Sequence, residues 1–125
     1  MFKDTPAFSG FSVDDLEKAK EFYSETLGLT LENEKMGLRF ALAGGGKIFV
    51  YSKDDHQPAT YTMLNFMVDD IDQAAQDLRD KGISFEQYDG MTDDQGIARG
   101  KENHQGPDIA WFKDPADNIL SIIQE

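Results

Sequence analysis

The sequence predicts an α+β fold built from two βαβββ repeats. Three observations predict it: an internal repeat, an alternating apolar segment before each of two helix-like stretches, and short strand-like runs after them. The hexapeptide Phe11-Ser-Val-Asp-Asp-Leu16 recurs as Phe66-Met-Val-Asp-Asp-Ile71, with Ala19 matched by Ala74 and, after one gap, Gly28 by Gly82. Such self-similarity marks two copies of one supersecondary unit, neither able to bury its apolar face alone.

Residues 7–13 and 61–68 alternate apolar and polar side chains, the pattern of half-buried strands. An Asp pair follows each. Asp14 and Asp69 are read as the N-caps, with Asp15 and Asp70 favouring the positive end of the helix dipole. Leu16, Ala19, Phe22, Tyr23 and Leu27 then recur at helical steps, as do Ile71, Ala74, Ala75 and Leu78, so each helix lays one face on a sheet. Gly28 and Gly82 are the helix stops.

In the first copy three strands are expected at 29–32, 38–42 and 47–51, separated by Lys35-Met36-Gly37 and by a Gly44-Gly45-Gly46 hairpin turn. In the second they are expected at 83–87, 109–113 and 119–123. The polar stretch 88–106 either holds a weak strand near 96–101 or forms a mobile loop. Lys53-Asp54-Asp55-His56-Gln57-Pro58 reads as the connection, giving a first module over 5–53, a linker over 54–60 and a second module over 61–125, together one domain.

Charge narrows the partners. The 24 acidic and 12 basic residues leave a net charge of −12, and no two Lys or Arg are adjacent, so nucleic acid and anionic membrane are unexpected partners and a neutral or cationic ligand is mildly favoured. The absence of cysteine removes disulfides, thiolate nucleophiles and Cys-ligated zinc. No apolar run reaches membrane-spanning length, which makes a cytoplasmic location the default expectation. Neither Asp54-Asp55 nor Asp93-Asp94 continues into calcium-loop spacing, and no phosphate loop or nucleophile elbow occurs.

Two βαβββ repeats with this punctuation, closing on Trp111-Phe-Lys-Asp-Pro-Ala-Asp-Asn-Ile-Leu-Ser-Ile122, resemble the vicinal oxygen chelate superfamily of glyoxalases, bleomycin resistance proteins and extradiol dioxygenases. The final hairpin is similar to the family's Asp-Pro-x-Gly-Asn turn, with Asp117 at the glycine position and therefore expected in a left-handed conformation. The resemblance implies curved mixed sheets around a cleft, often a homodimer, and in metal-dependent members His, Gln, Glu or carboxylate ligands from the first and last strands. At the matching positions this sequence has Phe8, Met63 and Ser121, while the strand that should supply the fourth ligand offers Ile48, Phe49, Val50 and Tyr51. None is a usual ligand for a divalent ion, so no metal and no other cofactor is expected.

Strand alternation then places Phe8, Phe49, Tyr51, Met63, Asn65, Trp111 and Ser121 on the cleft side, with pairing of Asp114 and Asn118 setting Trp111 opposite Ser121. These residues either line a pocket for a small organic molecule or fill a closed core. His104 is a possible loop contact. No catalytic residue is identified. The resemblance leans toward metal-independent, bleomycin-resistance-like binding; the alternative is a metal-dependent lyase, isomerase or dioxygenase in which His56 or His104 joins carboxylates in an unusual site.

Overall fold

The computed structural model describes residues 1–125, which divide into two compact units, Met1–Pro58 and Ala59–Glu125. In the first, β1 (Ser9–Val13) leads into α1 (Leu16–Glu21), followed by β2 (Thr30–Asn33), β3 (Leu38–Ala41) and β4 (Lys47–Ser52). In the second, β5 (Thr62–Met67) leads into α2 (Ile71–Asp80), followed by β6 (Ile97–Arg99), β7 (Asp108–Lys113) and β8 (Ile119–Gln124). The sheet orders are β1-β4-β3-β2 and β5-β8-β7-β6. In each unit the first and last strands run parallel side by side and the remaining pairs are antiparallel. No helix is long and apolar enough to cross a membrane.

The helix faces carry the cores. Val13, Ala19, Phe22, Tyr23, Leu38, Phe40, Ile48 and Val50 are buried in the first unit, where the Tyr23 ring lies 5.6 Å from Phe11 and 5.8 Å from Phe40. Ile71, Ala75, Ile97, Ala110, Phe112, Leu120 and Ile122 are buried in the second. Gly28 and Gly82 end their helices at φ 75° and 91°, and Gly44 and Gly45 turn the β3–β4 hairpin at 92° and 96°.

Several expectations are corrected. The caps are Asp15 and Asp70, one residue later than expected: both are extended, and their carboxylates accept from Lys18 N and Gln73 N at 3.1 Å. The helices therefore start directly on Leu16 and Ile71, and Ile71 is buried. The first helix is α-helical only to Glu21 and then widens into a π turn over Phe22–Thr26, closed by Leu27 N donating to Phe22 O at 2.9 Å. Ser24 Oγ donates to Lys20 O in that turn, and the wider turn lets the adjacent Phe22 and Tyr23 both be buried.

The strand expected at 83–87 does not form. β6 already pairs with residues 108–110 of β7, so this segment keeps one bond to that edge, Glu86 N to Trp111 O at 2.8 Å, while Phe85 packs on Phe112 at 6.0 Å. The weak strand near 96–101 is β6. It is anchored by Arg99, whose guanidinium meets Asp72 on α2 at 2.7 Å, Asp93 at 3.0 Å and Asp108 at 4.0 Å. Asp93 Oδ1 also accepts from Gln95 N and Ile97 N, both at 2.9 Å. The β7–β8 turn is tied by Asp114, which accepts from Ala116 N and Asn118 N at 2.9 Å, and Asp117 takes φ 65° there, as its place in the turn requires.

Candidate functional site

Because first and last strands adjoin, each unit presents one row across three neighbouring strands, β1-β4-β3 or β5-β8-β7, on the side away from its helix. In the first unit Gly10 of β1 is in register with Phe49 of β4, which faces Arg39 of β3. In the second unit Asn65 of β5 is in register with Ser121 of β8, which faces Trp111 of β7. The two rows are equivalent positions of the repeat carrying different chemistry.

The first row is aromatic with one cation. Phe8, just before β1, is 57% exposed and stands edge-on to Phe49 at 6.4 Å and 76°, while Tyr51 stacks with Phe49 at 5.9 Å and 22°. Gly10 leaves these rings uncovered: a Cβ there would lie 3.3 Å from Phe49 O and 4.0 Å from the Tyr51 ring. Gly37, at φ 150°, lets the chain pass against Phe49, since a Cβ would stand 2.8 Å from its ring and 2.7 Å from Val50 O. The Arg39 guanidinium lies over Phe8 at 5.0 Å. Next along the strands, Ser12 Oγ and His56 Nδ1 are 2.6 Å apart, so His56 is tied back to β1.

The second row is a hydrogen-bonded chain. Fully buried Ser121 donates from Oγ to Asn65 Oδ1 at 2.6 Å, leaving the exposed Asn65 amide N–H groups to donate outward. Trp111 Nε1 donates to Thr62 Oγ1 at 3.0 Å, and its half-buried ring meets Tyr88 edge-on at 5.4 Å and 81°. Thr62 reaches this face because the register shifts between Thr62 and Leu64, which pair with the consecutive Ile119 and Leu120. Met63 is the extra residue of that bulge. Strict alternation from Met63 would have put Thr62 on the helix side.

Of the residues singled out from sequence, Phe8, Phe49 and Tyr51 come together on the first unit, and Asn65, Trp111 and Ser121 on the second, with Met63 beside them at the bulge. His104 is not brought to Trp111. It sits exposed at φ 55° in the β6–β7 loop, beyond the Arg99–Asp108 pair. At about 3.3 Å per residue, Asp108 alone is already roughly 10 Å along the strand from Trp111. Arg39, Thr62 and Tyr88 were missed. Arg39 was within reach, because alternation through Leu38-Arg39-Phe40 and the glycine turn together place it opposite Phe49.

At the positions where the resemblance implies metal ligands, the side chains are poor donors for a divalent ion. Phe8 offers a ring, Met63 a thioether, and Ser121 a hydroxyl already committed to Asn65. No group of three His, Cys, Asp or Glu side chains gathers anywhere to hold one.

Comparison with known proteins agrees with the architecture. The chain is 27% identical to the uncharacterized protein YraH of Bacillus subtilis (strain 168) over 88% of this chain and 90% of that one. Its fold is similar to a glyoxalase family protein from Enterococcus faecalis, with a TM-score of 0.72, 21% identity, and coverage of 98% of this chain and 99% of that one. It is also similar to TnmS3, an antibiotic binding protein from Streptomyces sp. CB03234, with a TM-score of 0.66, 23% identity and 97% coverage of both chains. A family model matches residues 8–122, nearly the whole repeat pair, and by that match the chain belongs to the Glyoxalase/Bleomycin resistance protein/Dioxygenase superfamily.

Proposed function

We propose that this protein is a metal-independent binding protein for a small organic molecule, working in the bleomycin-resistance manner and pairing as a homodimer. The observation that carries the reading is the aromatic set of exposed Phe8 and half-buried Phe49 and Tyr51, standing on the sheet face opposite the core. Rings on this face stand outside the core and are well placed to stack on a planar ligand. The antibiotic-binding role of TnmS3 supports the same reading by analogy of fold.

A thermal-shift screen of planar aromatic compounds, read alongside Trp111 fluorescence, tests it. A ligand at 100 times its Kd stabilises the native state by about 2.7 kcal/mol, a clear rise in Tm. No stabilising compound across such a screen sinks the proposal. So does stoichiometric Zn, Ni, Mn or Fe in protein purified without chelators, and its loss in His56→Ala would point to an enzyme instead.

A further inference from the structure

The geometry points to an anionic aromatic ligand, one that carries a carboxylate, sulfonate or phosphate beside its ring and sets that group against Arg39. This inference rests on the aromatic-binding reading and names the ligand class for it. It also reverses what net charge suggests.

In a chain with 24 acidic and 12 basic residues, an arginine has carboxylates to spare. Five of the twelve bases use them: Lys20 pairs with Glu34, Lys47 with Glu32, Lys53 with Asp55, Lys113 with Glu86, and Arg99 with Asp72 and Asp93. Arg39 pairs with none. It is half-buried, and its guanidinium rests on the Phe8 ring. Its neighbours across the sheet are Asn33 on β2 and Phe49 on β4, and the nearby Glu32 has both oxygens on Lys47 Nζ at 2.6 Å. The face therefore offers one uncompensated positive charge among rings, with no acidic side chain in its row.

A guanidinium over an aromatic ring keeps its N–H donors in plane and free to fork onto a carboxylate or sulfonate. Partial burial strengthens that contact relative to open solvent. The opposing field of the −12 chain acts at longer range and is screened beyond about 8 Å at physiological salt. The local arginine then decides which molecules stay. The rings of Phe49 and Tyr51 hold the aromatic part while Arg39 holds the anion, which gives orientation as well as affinity.

Two probes isolate the charge: 8-anilinonaphthalene-1-sulfonate and N-phenyl-1-naphthylamine share one aromatic skeleton and differ by the sulfonate. Titrated by their own fluorescence, the sulfonate should bind the wild-type protein at least tenfold more tightly. In Arg39→Met, which keeps the apolar stem, the ratio of the two Kd values should fall to near one, and Arg39→Lys should retain part of it. Equal binding of both probes to wild type, or a ratio unchanged in Arg39→Met, overturns the anion assignment while the aromatic face stands. Binding of neither probe removes the aromatic reading, and this inference with it.

Discussion

The two units share a topology and differ in what they place on it. Gly10, Phe49 and Arg39 in the first occupy the same three-strand row as Asn65, Ser121 and Trp111 in the second. The helix-side positions are conservative by contrast: Phe40 on β3 and Phe112 on β7 are both fully buried and both meet another aromatic ring. The repeat thus fixes where side chains stand and keeps aromatic rings on the face that folds each unit, while the other face carries different side chains in the two units.

The strongest way to break that comparison is to delete the equivalent core rings. Phe40→Ala and Phe112→Ala should each destabilise the protein by about 3–5 kcal/mol, the usual penalty for emptying a fully buried phenylalanine site. Denaturant unfolding measures the loss, and amide hydrogen exchange locates it in β3–β4 or in β7–β8. A loss well under 1 kcal/mol for Phe112 alone would mean that polar contacts, not packing, hold the second unit.

Those polar contacts are where the units part company. The first unit turns directly from its helix into the edge strand β2. The second reaches its edge strand β6 only after residues 81–96, and Arg99 gathers Asp72, Asp93 and Asp108 to pin it. Hydrogen bonding by Arg99 holds Asp72 below the ordinary aspartate value of 3.8. Burial pushes Asp93 upward, but the N–H groups of Ile97 and Gln95 and the Arg99 guanidinium outweigh it and leave Asp93 low as well. Carboxylates with lowered folded-state values contribute stability that is complete above the ordinary value and lost as pH falls through the lowered one. Acidification below about pH 4 should therefore weaken this network, with Trp111, the single tryptophan, reporting on the second unit. Arg99→Gln should remove about 1–2 kcal/mol at neutral pH, a figure reduced for the exposure of Asp72, and should flatten the acid slope. An unchanged slope in the variant would locate the acid sensitivity elsewhere.

Much of this was legible in the sequence, for physical reasons that can be named. The repeat, the glycine stops and the closing turn are local chemistry, written in neighbouring residues. Register followed wherever a turn fixed it, which is why Trp111 could be set opposite Ser121. Three features depended on distant partners. The π turn goes with the burial of the adjacent Phe22 and Tyr23. The segment 83–87 looks like a strand, yet β6 takes the edge it would need. Thr62 joins the Trp111 face through a bulge that no alternation pattern announces.

The finest contrast lies in the two hairpin turns. Between β3 and β4 the left-handed positions are Gly44 and Gly45, at φ 92° and 96°, whereas between β7 and β8 that conformation falls to Asp117 at 65°. A residue with a Cβ is about 1 kcal/mol less favourable there than glycine, a penalty softened for Asp and partly offset by the greater freedom glycine has in the unfolded chain. Asp117 contributes its N–H to Asp114 O at 3.0 Å, a bond that glycine can also make, and its side chain is exposed. Asp117→Gly should therefore raise stability by about 0.5 kcal/mol or less, seen as a small upward shift in the denaturant midpoint at constant m-value. A loss instead would show that the exposed carboxylate stabilises the turn through its charge, and that the two hairpins reach the same geometry by different means.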